Sequence, residues 1–434
     1  MTEEKLNKEV NQWIYNTMSY YYYWEKEMPD NIENYNISPI DFFKSLLYIK
    51  DRYSFIINQS NSLGINNSIS DVGNYGFESN FGYIDEDKTR IGGLVLYVFP
   101  NSMAEKEGVK RGDIFISIDE VSLTMDNIED VFQKARATFT FIRYDGCDTT
   151  IFNKMLQRET HEIAPIYTQK IFDMKHTKIG YFCYNQFLDD NGDGSMMYVN
   201  ELLECFSNFK RNGINELVVD LRYNLGGLIN LSVLLASLIV PNVDSTKIAL
   251  QFEYNEKIQS LIYRDKDRRT LNFSLYPDSY VGSNLNRVFF IVGSMTASAS
   301  EAVINALLPY MDVILVGEST YGKNFASTLF TKTNNWGNTY AIMPVVMKVY
   351  NSSYESSYGE GFSPDYQINE FMHQLYELGD TREVILNYIL TSIFMINLEN
   401  ENETRSAFRA TTFSPLLAKS IDKYHIYEFR QHER

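Results

Sequence analysis

Apolar residues recur at helical spacing through Val10, Trp13, Ile14, Met18, Tyr21 and Trp24, and again through Phe42, Phe43, Leu46 and Leu47. This is the i, i+3, i+4 pattern of one buried helix face, and it predicts a small N-terminal helical unit. The aromatic run at residues 20–24 is read as packing surface, because such rings bury large areas. After a polar stretch at residues 58–76 the period changes. Residues 93–99 (GLVLYVF) are an unbroken apolar run, as in a buried strand. Pro100 and Asn101 turn the chain, and Ser102 and Glu105 stand at capping-box spacing to open a short helix. Gly108 closes that helix, and the turn Arg111-Gly112-Asp113 leads into a strand at residues 114–118 (IFISI).

From Ile179 onward, strand and helix patterns alternate. Strands are predicted at residues 179–187, 217–221, 288–292 and 313–316, with helices at 199–209, 229–239 and 300–308 between them. Alternation of this kind predicts an α/β core around a largely parallel sheet. Beyond Asn397, the polar run at residues 398–404 is expected to lead into a C-terminal tail.

Composition sharpens this picture at three points. At 434 residues the chain is long enough for about three units. A net charge of −17 without a local Lys/Arg cluster argues against nucleic acid as a partner, since a phosphate backbone would be repelled. Cys147, Cys183 and Cys205 are odd in number and share no motif spacing, so they are expected to pack rather than to form a disulfide framework. No run approaches the length of a bilayer span, and no apolar signal core follows Met1. The expectation is a cytoplasmic protein, or a mature form whose export signal has been removed.

Three strand ends in the α/β region carry residues suited to acyl transfer. Asp220-Leu221-Arg222-Tyr223-Asn224-Leu225-Gly226-Gly227 is a strand running into a di-glycine turn, which can present backbone N–H groups to a ligand or simply turn tightly. Gly293 to Glu301 (GSMTASASE) enters a helix. Ser298 or Ser300 would serve there as an N-cap, or a serine of this run as a nucleophile at the helix N-terminus, where a following N–H such as that of Ala299 can stabilise an oxyanion; spacing alone does not choose among Ser294, Ser298 and Ser300. Gly317 to Asn324 (GESTYGKN) places Lys323 in a Gly-rich turn, where lysine is ordinarily a solvated charge. To act as a base near neutral pH, such a lysine must fall from about 10.4 to roughly 7–8, which demands burial or nearby positive charge.

Taken in order, these segments resemble the tail-specific, or C-terminal processing, proteases. That family carries an Asp-Leu-Arg-x-Asn-x-Gly-Gly turn, a Ser-Ala-Ser-Ala-Ser-Glu-like segment and a Gly-Glu-x-x-x-Gly-Lys segment. Asp51-Arg52-Tyr53-Ser54 and Gly361-Phe362-Ser363-Pro364-Asp365 extend the likeness. Upstream, Pro100, Ser102, Ala104, Gly108, Val109, Gly112 and Asp113 resemble a PDZ domain, which adds an extended peptide to a sheet edge. The resemblance implies a ClpP/crotonase-like α/β core and a PDZ domain, divided as an N-terminal helical unit at 1–72, the PDZ-like domain at 73–160, the core at 161–398 and a tail at 399–434.

The resemblance implies a serine endopeptidase acting on polypeptides. Ser298 would be its nucleophile and Lys323, twenty-five positions later, its general base. Ala299 with Gly226 or Gly227 would form the oxyanion hole, and Tyr75, Gly76 and Phe77 would lie near the loop that captures a peptide carboxylate. Many members place a glutamine four positions after the lysine to orient the amine; Ser327 stands there in this chain. The resemblance also points to a bacterial cell envelope, and it calls for no cofactor.

Two other readings stay open at this stage. One is a catalytically inactive, PDZ-containing peptide-binding or scaffold protein. The other is a Ser-His-Asp triad, although the five histidines, His161, His176, His373, His425 and His432, fall outside the three segments. No metal is expected. The run Asp189-Asp190-Asn191-Gly192-Asp193-Gly194 resembles the front of a calcium loop, but Asn200 stands where a bidentate Glu is needed. The Arg111-Gly112-Asp113 triplet is accounted for as a helix-to-strand turn.

Overall fold

The computed structural model describes residues 3–29, 34–59, 74–396 and 414–415, except 86, 89, 125–126, 129–131, 133, 146–147, 162–163, 175–176 and 263–267. The run at 398–404, nearly all of the 399–434 tail, most of the polar stretch at 58–76, Cys147, His176, His425 and His432 lie outside the described residues.

At the centre is a six-stranded sheet in the order Tyr366–Gln367, Asp312–Gly317, Arg287–Val292, Glu216–Asp220, Thr177–Tyr184, Ile166–Met174. All neighbours are parallel except the last pair, which is a hairpin. Both faces are buried, and the side chains divide between them with the period of two that a pleated strand imposes. Leu217, Val219, Phe290 and Val292 pack with the helices Met197–Asn212, Ile229–Ile239 and Ala299–Leu307. Val218, Phe289 and Ile291 face the opposite way, against Leu386, Ile389 and Leu390 and against Leu94, Leu96 and Ile114 of a second sheet. This is the mixed α/β core that the alternation predicts.

The second sheet is antiparallel. It contains Phe77–Tyr83, Ile91–Val98, Ile114–Ile118, Arg136–Asp145 and Asp148–Gln157, and it closes over its own aromatic core of Phe115, Phe139 and Phe141. Ser102 caps the short helix Met103–Lys106 as its spacing predicts, its Oγ accepting the N–H of Glu105 at 3.1 Å. Arg111 is only 4% exposed, so the Arg-Gly-Asp triplet is not offered to solvent.

The N-terminal unit is not helical throughout. Helices Glu3–Tyr21 and Pro39–Leu46 are followed by the strand Phe55–Gln59, which pairs with Thr339–Met343. The helices and this strand pair share one core through Val10, Ile14, Phe42, Phe43, Tyr340 and Ile342. No helix among the described residues is long and apolar enough to cross a membrane.

Candidate active site

Three adjacent parallel strands, Glu216–Asp220, Arg287–Val292 and Asp312–Gly317, end at the same edge of the central sheet. Carboxyl ends of such strands are where α/β sheets hold ligands. Their three following turns carry Gly226-Gly227, Ser298 and Lys323, and Gly227, Ser298, Lys323 and Ser327 line one open cleft of about 970 Å³.

Ser298 stands at the entrance to the helix Ala299–Leu307 with φ 57° and ψ −114°, a backbone conformation costly for any residue but glycine. What holds it there is packing and hydrogen bonding on both sides. The carbonyl of Asn224 accepts the N–H of Ala297 at 3.1 Å and the hydroxyl of Ser300 at 2.9 Å. Asn224 itself is anchored by donating to the carbonyl of Tyr184 at 2.7 Å. A Cβ on Gly226, whose φ is 104°, would stand 2.8 Å from both the Ala297 carbonyl and the Ser298 Cβ, so only glycine permits this approach.

The di-glycine turn separates the two oxyanion candidates. Gly226 donates its N–H to Asn224 Oδ1 at 2.8 Å and is therefore not available to a substrate. Among the described residues, no acceptor takes the N–H of Gly227 or that of Ala299. The second position of the pair, not the first, thus has a free donor beside the serine turn.

The lysine turn is fixed by contacts that motif spacing does not reveal. Glu301 is fully buried, and its Oε2 accepts the backbone N–H of Ser298 at 3.0 Å and of Lys323 at 2.7 Å. Its Oε1 accepts the N–H of Gly322 at 2.8 Å and the hydroxyl of Thr320 at 2.6 Å. Burial pushes the Glu301 carboxyl above its ordinary range, against the opposing pull of these donors. On the other side, the Gly322 carbonyl accepts from the Tyr53 hydroxyl at 2.5 Å and from Arg52 at 3.3 Å. The Lys323 ammonium lies 5.8 Å from the centre of the Tyr53 ring. The Ser298-x-x-Glu301 spacing of a capping box was a readable signal for Glu301; Arg52 and Tyr53 were marked only as part of the family likeness, with nothing to place them at the lysine turn.

Behind the di-glycine turn sits a buried charge network. Arg222 contacts Asp220 at 2.9 Å, Glu383 at 2.8 Å and Glu370 at 2.6 Å. Arg111 of the antiparallel sheet joins it, reaching Glu370 and the Tyr223 hydroxyl, each at 2.6 Å. Burial alone would raise the Glu383 carboxyl, but the Arg222 guanidinium outweighs it and holds the group down at about 2.

Other sequence candidates fall elsewhere. Tyr75 and Phe77 point into the core of the antiparallel sheet, and the Gly76 N–H donates to Asn74 Oδ1 at 2.8 Å. That N–H is thus engaged within the chain and is not presented to a peptide carboxylate. His161 stacks on Phe99 and His373 follows the short turn of helix Glu370–Met372; neither lines the cleft. In the acidic turn, Asp190 accepts the N–H of Gly192 at 2.6 Å and Asp193 that of Ser195 at 2.8 Å. Among the described residues no cluster of acidic, His or Cys side chains is set to hold a metal.

Known proteins resemble this chain. Residues 178–368 match the family described as peptidase family S41, and residues 9–55 match the peptidase S41 N-terminal domain. The carboxy-terminal processing protease CtpA of Bacillus subtilis is 23% identical over 283 residues, 64% of this chain and 53% of that protein. A carboxyl-terminal-processing protease of Picosynechococcus is 26% identical over 244 residues, 54% of this chain and 52% of its own length. The chain therefore spans about half the length of these curated relatives. A solved structure assigned to the S41 proteases, from Bacteroides fragilis, superposes with a TM-score of 0.73 at 26% identity, covering 89% of this chain and 98% of that one. With both S41 domains matched in order around this cleft, the chain belongs to peptidase family S41.

Proposed function

We propose that the chain is a serine endopeptidase acting through a Ser298-Lys323 dyad. The observation that carries this reading is the shared carboxylate oxygen of Glu301, which holds the backbone of both residues at one cleft. The neutral Lys323 amine takes the Ser298 proton as Oγ attacks the scissile carbonyl. The N–H groups of Ala299 and Gly227 receive the oxyanion, helped by the positive end of the helix Ala299–Leu307. The Lys323 ammonium then returns the proton to the leaving amine, and a water activated by the same amine hydrolyses the acyl-enzyme. Ser327, which lines the cleft, stands at the position of the orienting glutamine.

The finer assignments belong to the same reading. The core is of the ClpP/crotonase-like type, and the antiparallel sheet is a PDZ-like domain. Its strand Phe77–Tyr83 pairs on its outer edge only at Gly82 and Tyr83 among the described residues, which leaves Phe77–Phe81 open for a substrate strand. Carboxylate capture would then use backbone other than the Gly76 N–H. The protein would work in a bacterial cell envelope, as a carboxyl-terminal processing enzyme acting on polypeptide ends.

Incubation of an unfolded protein with wild type and with Ser298→Ala, followed by fragment mass spectrometry, tests this. Fragments from wild type alone support the proposal. Equal cutting by both removes Ser298 as nucleophile. Failure of both, with C-terminal peptides also supplied, favours a non-catalytic peptide-binding protein.

A further inference from the structure

A second hydroxyl-bearing side chain lines the cleft that Ser298 and Lys323 share. Tyr358 is 1% exposed and lines the same cleft as Ser298 and Lys323, yet its phenol oxygen has no hydrogen-bond partner among the described residues. A phenylalanine would fill the space without burying an unpaired hydroxyl, which is costly to keep. The ring is held in place by stacking on Phe362, with centroids 4.8 Å apart and planes 15° from parallel.

Packing brings the segment around Tyr358 against the lysine turn. A Cβ on Gly322 would stand 2.7 Å from the Gly359 carbonyl and 2.5 Å from the Gly361 nitrogen. A Cβ on Gly359 would lie 3.4 Å from the Asn324 side-chain nitrogen, and Asn324 itself donates to the Ser356 carbonyl at 2.8 Å. The residues flanking Lys323 thus rest on those flanking Tyr358. Glu301 and Tyr53, which fix the backbone of the lysine turn, also act electrostatically on the Tyr358 hydroxyl. Burial pushes that phenol well above its ordinary range, so it stays a neutral hydroxyl with lone pairs to offer.

We propose that the Tyr358 hydroxyl is a positioning group for the Lys323 amine, the task performed in many resembling proteases by the glutamine that Ser327 replaces here. The inference rests on the Ser-Lys reading. A serine oxygen ends two bonds short of a glutamine amide oxygen, whereas a phenol reaches across the turn. In the reacting enzyme the Lys323 amine turns towards the Tyr358 oxygen, which accepts one of its N–H groups and leaves the lone pair directed at the Ser298 hydroxyl. When the Ser298 O–H bond breaks and the new N–H bond forms, the same oxygen stabilises the ammonium.

Tyr358→Phe keeps the ring and removes only the hydroxyl. The expected result is a kcat lower by about 10- to 100-fold, the size of one hydrogen bond to a charged group, with KM within twofold. Its thermal midpoint should equal or exceed that of wild type. Independently of turnover, acetic anhydride labelling of Lys323 in a Ser298→Ala background, read by mass spectrometry against the other lysines, should be about threefold or more faster with Tyr358→Phe, because the ammonium has lost a partner. Unchanged kcat with unchanged labelling overturns the proposal. So does a loss that falls on KM with labelling unchanged, which would make Tyr358 part of the substrate wall. If wild type and Ser298→Ala cut alike, the protease reading fails first, and the labelling comparison still decides whether Tyr358 holds the lysine.

Discussion

Ser298 and Lys323 donate their backbone N–H groups to the same atom, Oε2 of Glu301, at 3.0 and 2.7 Å. The helix that begins at the serine thus carries, one turn in, the group that also fixes the lysine turn. One buried side chain thus ties the two turns together directly, across the helix Ala299–Leu307 and the strand Asp312–Gly317 that separate them in the chain.

Glu301→Gln should therefore separate the two turns. The amide has one acceptor oxygen for four donors, and its own NH₂ faces N–H groups. A loss of about 10²-fold in kcat/KM is expected, the usual consequence of displacing reacting groups by about 1 Å. A stability loss of about 1–3 kcal/mol should accompany it. Unchanged values of both would show that the carboxylate bridge does not order the site.

Gly226→Ala tests the approach of the di-glycine turn to the serine. With φ at 104° and its Cβ 2.8 Å from the Ala297 carbonyl and the Ser298 Cβ, the variant must shift the nucleophile turn. Activity should fall at least 10²-fold. The control is Gly213→Ala, at the end of the helix Met197–Asn212, where φ is 65° and a Cβ meets nothing within 4 Å. That variant should cost about 1 kcal/mol of backbone strain and leave turnover unaltered.

Much of this was legible in the chain. Residues 93–99 and 229–239 announce a strand and a helix by uninterrupted or periodic apolar character, and the helix Ile229–Ile239 has the predicted bounds. The three motifs mark the turns because glycine and small hydroxyl residues are what such turns require. The strand Phe55–Gln59 was not expected, because its identity comes from pairing with residues nearly three hundred positions away. Tyr358 lies in an irregular segment, where no period marks a side chain as inward-facing. The Gly226 and Gly76 N–H groups looked available in sequence, and only the orientation of the Asn224 and Asn74 side chains shows them engaged.

The buried network makes a prediction about acid. Glu383 is held at about 2 in the folded protein, below its usual 4.5. The stability it contributes is present above the unfolded value and is lost as pH falls from about 4.5 towards about 2. The thermal midpoint should decline across this window. Arg222→Met should cost about 3–5 kcal/mol at neutral pH, since it strands buried carboxylates, and should flatten the decline. A midpoint in Arg222→Met equal to that of wild type would contradict the account.

The central claim is that Ser298 and Lys323 act as one unit, and the most direct test is kcat/KM for a single peptide substrate with Ser298→Ala, Lys323→Met and the double variant. The account predicts that each single variant falls to nearly the same residual rate and that the double variant is no slower. A Lys323→Met enzyme that retains wild-type turnover, or losses that multiply in the double variant, would contradict it.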